Sequence, residues 1–234
     1  MKYDECPICG HKTHQWFTQP FRKFCNPMDI VPDFYIPYNR CPSCRLVYAP
    51  SMYGWGDTEF KKFCYNDKYP MYDADILLEE GSRQKLSLTS IMQHVTPPCK
   101  HLDFGGGNGQ LARMCRSNGF DSVCYDRFTK YNDETCLNDS YHLVSAIEVL
   151  EHATNLTDVM QILSDCCLQY LYISTGLYDT IDDLPAWYYC NPRVGHVNLF
   201  CKYTIENLLA KFGFKVLDIK QQHKEQMNIW AIKL

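Results

Sequence analysis

No run of apolar residues in this chain approaches the roughly 18 that a membrane-crossing helix requires, so no membrane span is expected. The opening Met1-Lys2-Tyr3-Asp4-Glu5-Cys6 is polar and acidic and lacks the apolar stretch of a secretory leader. There is no internal repeat, no low-complexity tract and no block of like charge. Lys and Arg number 23 against 27 Asp and Glu, a net charge of −4, so bulk charge gives nucleic acid no electrostatic footprint. These absences lead to the expectation of a cytoplasmic protein with no nucleic-acid partner. What is present is globular. The 234 residues are 46% hydrophobic, 21% charged and 14% aromatic, which excludes a disordered chain, a collagen-like repeat and a coiled coil. That length accommodates one full domain and a small one.

Cysteine is abundant, with 14 residues. Without a leader the thiols are expected to stay reduced, and closely spaced pairs then point to metal rather than to disulfides. Cys6-Pro7-Ile8-Cys9 and Cys41-Pro42-Ser43-Cys44 are two C-x-x-C turns, with 31 residues between Cys9 and Cys41. Each turn offers two thiolates on one side of an ion, and two turns close a tetrahedral zinc site. A segment of about 50 residues builds little core alone, so the metal would supply folding energy. His11, His14 and Cys25 lie in the same stretch, but four cysteines already complete the shell. Cys64, Cys115, Cys124, Cys166, Cys167 and Cys201 sit among apolar neighbours and are expected to pack in the core.

Beyond about residue 73, helical and strand patterns alternate, which argues for an α/β fold with a mostly parallel sheet. Helices are expected over Asp73–Val95, Leu111–Ser117, Leu156–Leu168 and from a capping Thr204 to Phe212. Strands are expected at His101–Phe104, Ser122–Tyr125, Leu143–Ile147, Tyr170–Thr175, Phe214–Ile219 and Asn228–Leu234. The most informative stretch is Asp103-Phe104-Gly105-Gly106-Gly107-Asn108-Gly109, which follows a strand and opens a helix. Glycines there let the backbone approach a ligand closely. A nicotinamide fingerprint would need a third glycine at Gln110. An acidic residue before the loop instead suits a ligand carrying a positive group. Asp126, 23 residues after Asp103 at the end of the next strand, can accept both hydroxyls of a ribose.

On these residues the chain resembles the class I S-adenosylmethionine-dependent methyltransferases. Asp103–Gly109 is similar to their first motif, Tyr125-Asp126 to their second, and Glu148-Val149-Leu150-Glu151-His152 to the element after strand four. The two knuckles, Trp187-Tyr188-Tyr189 and Gly195-His196-Val197 resemble a subgroup with an N-terminal zinc ribbon, found among sugar and polysaccharide-cluster methyltransferases. The resemblance implies a Rossmann-like seven-stranded sheet with its last strand antiparallel. It also implies a zinc ribbon over residues 1–50, a linker or lid over 51–72 and a methyltransferase domain over 73–234. Asp103, Phe104, Gly105, Gly106 and Gly107 would line the cofactor, Asp126 its ribose, and Glu148 its methionine part. Phe128–Tyr141 is short for strand three, and Asp139 is the candidate acid toward the adenine.

Methyl transfer to a hydroxyl benefits from a base, and histidine titrates near neutrality. His196 and His152 are the candidates. Trp187, Tyr188 and Tyr189 offer either a face for a sugar or loop packing. The expected function is S-adenosylmethionine-dependent methylation of a small-molecule or glycan acceptor. The alternatives are an RNA or protein methyltransferase that docks through the ribbon, or a non-catalytic cofactor-binding protein. Residues 1–50 hold six basic and four acidic side chains, too few for a nucleic-acid surface.

Overall fold

The computed structural model describes residues 4–25, 34–71, 82–223 and 226–234. The first half of the chain contributes β1 (His14–Pro20), β2 (Tyr35–Arg40), β3 (Val47–Tyr48), α1 (Asp57–Phe63), α2 (Ser82–His94), β4 (Lys100–Phe104) and α3 (Gln110–Ser117). There follow β5 (Asp121–Tyr125), β6 (Tyr141–Ile147), α4 (Leu156–Cys166), β7 (Cys167–Gly176), β8 (Asn198–Leu199), α5 (Lys202–Lys211), β9 (Phe214–His223) and β10 (Gln226–Lys233). These elements make two compact units. One comprises residues 1–78, 151–157 and 176–207, and the other 79–150, 158–175 and 208–234.

The second unit is a six-stranded sheet in the order β5-β4-β6-β7-β10-β9. Strand β4 is parallel to β5 and β6, and β6 to β7, whereas β10 runs antiparallel to β9. The alternation of strands and helices with short connections produces this mixed α/β layering. Ile91 of α2, Leu111 and Cys115 of α3, Leu143, Tyr172 and Trp230 form its core. Trp230 stacks on Tyr172, with ring centroids 4.7 Å apart. Its indole N–H donates to Ser90 Oγ.

The expected seventh strand is a correction. Residues 126–140 are occupied by a loop that folds back on the glycine turn and by a 3-10 helix at Glu134–Asn138. Too few residues remain there for a strand. The helix expected over Asp73–Val95 runs from Ser82 to His94, and its first part falls outside the described residues. Thr204 is not the cap of α5. The helix begins at Lys202, whose amide donates to an Asp179 carboxylate oxygen at 2.7 Å, while the Thr204 hydroxyl donates to the Cys44 carbonyl at 2.9 Å.

The first unit carries a four-stranded sheet in the order β1-β2-β3-β8. All its pairings are antiparallel, with Tyr48 opposite Asn198 and Val47 opposite Leu199. Two similar turns hold the cysteines. Gly10 and Arg45 both adopt left-handed backbone, φ 73° and 63°, one residue after each second cysteine. Arg193 is fully buried here, and its guanidinium donates to the Cys64 carbonyl and to Asn66 Oδ1. Aromatic side chains supply much of the core, among them Phe21, Tyr38, Phe60 and Trp187. Among the described residues no helix is long and apolar enough to cross a membrane.

Candidate functional site

The first site forms where β4 turns into α3. Asp103, the fourth residue of β4, is 2% exposed. Its Oδ1 accepts a 3.0 Å hydrogen bond from Ser145 Oγ, while Oδ2 is buried and accepts none among the described residues. Ser145 has one proton and gives it to Asp103, so His101 Nε2, 2.9 Å away, donates to Ser145. His101 Nδ1, 2.8 Å from Ser122 Oγ, is then the accepting nitrogen of a neutral ring. Three adjacent strands therefore carry one directed chain, Ser122 to His101 to Ser145 to Asp103. Burial pushes His101 down to about 3. Burial also lifts Asp103 to about 6; the Ser145 hydroxyl and the nearby Ala112 amide oppose this rise and the Asp126 carboxylate adds to it.

The glycine loop lies directly over this carboxylate. A Cβ on Gly106 would collide with the Asp103 carboxylate and stand 2.8 Å from Cys124 Sγ, so only glycine fits. A Cβ on Gly105 would come within 2.5 Å of Val149, which brings the segment after β6 against the loop. On Gly107 a Cβ meets nothing within 4 Å, and the loop is open on that side. The Gly107 and Phe128 amides donate to the two oxygens of Asp126, both at 2.9 Å. Each oxygen retains a second lone pair. Thr129 Oγ1 closes the clamp on the Gly107 carbonyl. Glu148 follows β6 in left-handed backbone, φ 54°, with its amide bonded to the Ser174 carbonyl. Phe104 is buried with its ring 5.3 Å from Tyr125. Asp103, Phe104, Gly105, Gly106, Gly107, Asp126 and Glu148 thus belong to one unit, at or just beyond the carboxyl ends of β4, β5 and β6, where open α/β sheets bind ligands. Asp139 is turned elsewhere, to an exposed ion pair with Lys100.

The four cysteines converge. Cys6 Sγ lies 3.4 Å from Cys44 Sγ, and Cys9 Sγ 3.4 Å from Cys41 Sγ, far beyond a disulfide bond. All four sulfurs fall within 4.8 Å of one another, a spread that brackets the ~3.8 Å edge of a tetrahedral thiolate site. His11, His14 and Cys25 are not in this group.

A second convergence joins residues far apart in the chain. Glu151 is fully buried, and its Oε1 accepts from the Tyr189 hydroxyl at 2.5 Å. His152 Nδ1 lies 3.1 Å from the Gly195 carbonyl and His196 Nδ1 2.6 Å from the Tyr189 carbonyl. A carbonyl only accepts, so both Nδ1 atoms carry protons. Gly195 allows this approach: a Cβ there would stand 3.3 Å from His152 Nδ1 and 2.9 Å from the Tyr65 hydroxyl. The two imidazoles meet edge to face at 4.8 Å. Trp187 and Tyr189 are buried, which resolves the aromatic triplet: only Tyr188, 45% exposed, offers a face to solvent. Glu151 and the Tyr189 hydroxyl were not singled out from sequence. The adjacency Glu151-His152 was the available signal; the role of Tyr189 had none.

The methyltransferase-domain family matches residues 74–219, well over half of the chain. Among solved structures, a 1,6-didemethyltoxoflavin N1-methyltransferase of Burkholderia thailandensis, with S-adenosylhomocysteine bound, is similar at 13% identity and TM-score 0.60, covering 89% of this chain and 99% of its own. A mitomycin 7-O-methyltransferase is similar at 11% identity and TM-score 0.58, covering 75% and 60%. A magnesium protoporphyrin IX methyltransferase of Synechocystis PCC 6803, also holding S-adenosylhomocysteine, is similar at 12% identity and TM-score 0.55, covering 76% and 100%. No curated protein sequence matches. The likeness to these three structures is one of fold. The chain belongs to the methyltransferase-domain family.

The directed chain beneath the loop predicts opposing pH effects. His101 is buried neutral, so its contribution is present above ~6.5 and is lost as pH falls toward 3, on the order of 5 kcal/mol in full. Asp103 has a raised folded value, so its contribution is present at low pH and is lost as pH rises through about 6, on the order of 3 kcal/mol. The two slopes offset each other between about pH 4 and 6. Asp103→Asn leaves only the histidine slope. Urea unfolding at pH 7 and pH 4 is expected to show the variant losing up to ~3 kcal/mol more than the natural protein on acidification. Equal losses would refute the arrangement.

Proposed function

We propose that the chain transfers a methyl group from S-adenosylmethionine to a hydroxyl of a small-molecule acceptor of carbohydrate type, a sugar nucleotide or glycan precursor. The observation that carries the reading is the glycine loop, closed over the buried Asp103 carboxylate and clamped by Asp126. The residues fit the cofactor. Asp103 Oδ2 is a buried acceptor still to be satisfied, the loop is open at Gly107, and Asp126 has lone pairs for two ribose hydroxyls. When bound, the cofactor supplies a methyl group activated on a sulfonium. Gly105, Gly106, Gly107 and Phe104 supply the surface against which it lies. Glu148 takes the methionine end. His196 receives the acceptor proton at Nε2, because its Nδ1 proton is held by the Tyr189 carbonyl. His152, held in the same way by Gly195, is the second base. The carbohydrate assignment is supported by the resemblance to the ribbon-bearing subgroup. Small-molecule acceptors also appear in the names of the toxoflavin and mitomycin enzymes. The four converging cysteines support a structural Zn²⁺ without an open position, and fourteen cysteines outside any disulfide suit a reducing, cytoplasmic setting.

Three measurements test these assignments. Asp126→Ala removes charge-assisted bonds of about 1.5–3 kcal/mol, so S-adenosylhomocysteine should bind roughly ten- to a hundredfold more weakly by calorimetry. Unchanged affinity would exclude Asp126 as the ribose ligand. Elemental analysis should find tightly held zinc that is lost in a Cys6→Ser/Cys41→Ser double variant; equal zinc in both proteins would sink the ribbon. His196→Ala should lower turnover about 10²–10⁴-fold per cofactor-binding molecule, with S-adenosylhomocysteine affinity retained. Normal turnover would pass the role to His152 or remove the need for a protein base.

A further inference from the structure

We infer that Glu151, His152 and His196 form a second metal site, one that holds a first-row divalent transition ion with coordination positions left open. The carboxylate of Glu151 and a ring nitrogen of each histidine lie within 4.8 Å of one another. Ligand bonds of about 2.0–2.2 Å set donor separations near 3.3 Å, so movements of about an ångström close the shell. Two imidazoles and one carboxylate are a donor set for Zn²⁺ or Fe²⁺, and three protein ligands leave room for an exogenous one.

The surroundings are those of a ligand set. A metal-binding imidazole gives its other N–H to a carbonyl or carboxylate, which fixes the tautomer and aims the remaining nitrogen. Both histidines do this, His152 toward Gly195 and His196 toward Tyr189. The Glu151 carboxylate is itself held by the Tyr189 hydroxyl. Tyr189 therefore braces two of the three ligands, one through its side chain and one through its backbone. The Tyr38 hydroxyl donates to the His196 carbonyl, and the Val197 amide to the Glu151 carbonyl, so the backbone of both loops is pinned as well. Glu151 and His196 are buried while His152 is partly exposed, which gives the ion a route in.

The site differs from the cysteine cluster in donor type and in openness. Four thiolates close a shell, whereas this set leaves positions for an oxygen ligand such as an acceptor hydroxyl. Resting on the proposed methyl transfer for this role only, an ion here would lower the pKa of that hydroxyl, whose proton would pass to solvent water, and the histidine Nε2 atoms would hold the ion in place of the base role given above.

Metal uptake tests the inference without reference to turnover. The full-length protein and a His152→Gln/His196→Gln double variant are dialysed against Co²⁺ and assayed for metal per chain, with S-adenosylhomocysteine binding as the check on folding. The expected result is one equivalent more in the natural protein, whatever the cysteine cluster holds. Equal stoichiometry in two cofactor-binding proteins overturns the site. If the variant does not fold, X-ray absorption on the cobalt-loaded natural protein decides. An imidazole and oxygen shell beside any sulfur shell supports the site; sulfur alone, or no metal, overturns it. Loss of turnover in His196→Ala with no second ion would leave the proposed base in place and remove the metal.

Discussion

Asp103 carries a carboxylate into a part of the sheet that water does not reach, and three strands are arranged around it. Parallel pairing sets His101 opposite Ser122 and Asp103 opposite Ser145, so hydroxyl, imidazole, hydroxyl and carboxylate line up across β5, β4 and β6. Each group satisfies the next, and one carboxylate oxygen is left over. A buried acceptor without a donor costs about 1–3 kcal/mol. The sheet tolerates it directly beneath a loop that only glycine can form, because a side chain at Gly106 would strike it. The unfilled hydrogen-bonding capacity and the exposed loop backbone are thus one feature.

The other unit is organised by a different constraint. Its sheet is completed by β8, which joins β3 across about 150 residues of chain. The same return of the chain delivers Tyr189 to Glu151 and His196 to His152. Phe21, Tyr38, Trp187 and Leu199 fill the space behind them. The buried polar groups Glu151 and His196 are held there by the Tyr189 hydroxyl and carbonyl.

Much of this was legible in the sequence where the signal is local. The glycine loop, the strands around it and the two C-x-x-C turns are short-range patterns with strong backbone requirements, and each expected strand of the second unit appears within a few residues of its place. The shortness of Phe128–Tyr141 already hinted at the missing strand; what could not be read was that Thr129 would spend itself on the Gly107 carbonyl. Pairings between distant residues left no local trace. Nothing at Tyr189 announces a partner 38 positions earlier, and Trp187-Tyr188-Tyr189 reads alike whether its rings are buried or exposed. Thr204 looked like a helix cap, yet its hydroxyl is taken by the Cys44 carbonyl, 160 positions away.

The pairing of β3 with β8 also dictates an order of events during synthesis. At about 5–20 residues per second, Asn198 is added roughly 8–30 seconds after Tyr48. Through that interval the cysteine turns can gather their sulfurs, but β3 still presents an unpaired edge, the kind of surface that recruits other chains. A ribosome that stalls midway would release a polypeptide with its knuckles formed and its sheet open. The cell would then meet an open-edged half-product, because the strand that covers β3 comes from Asn198–Leu199.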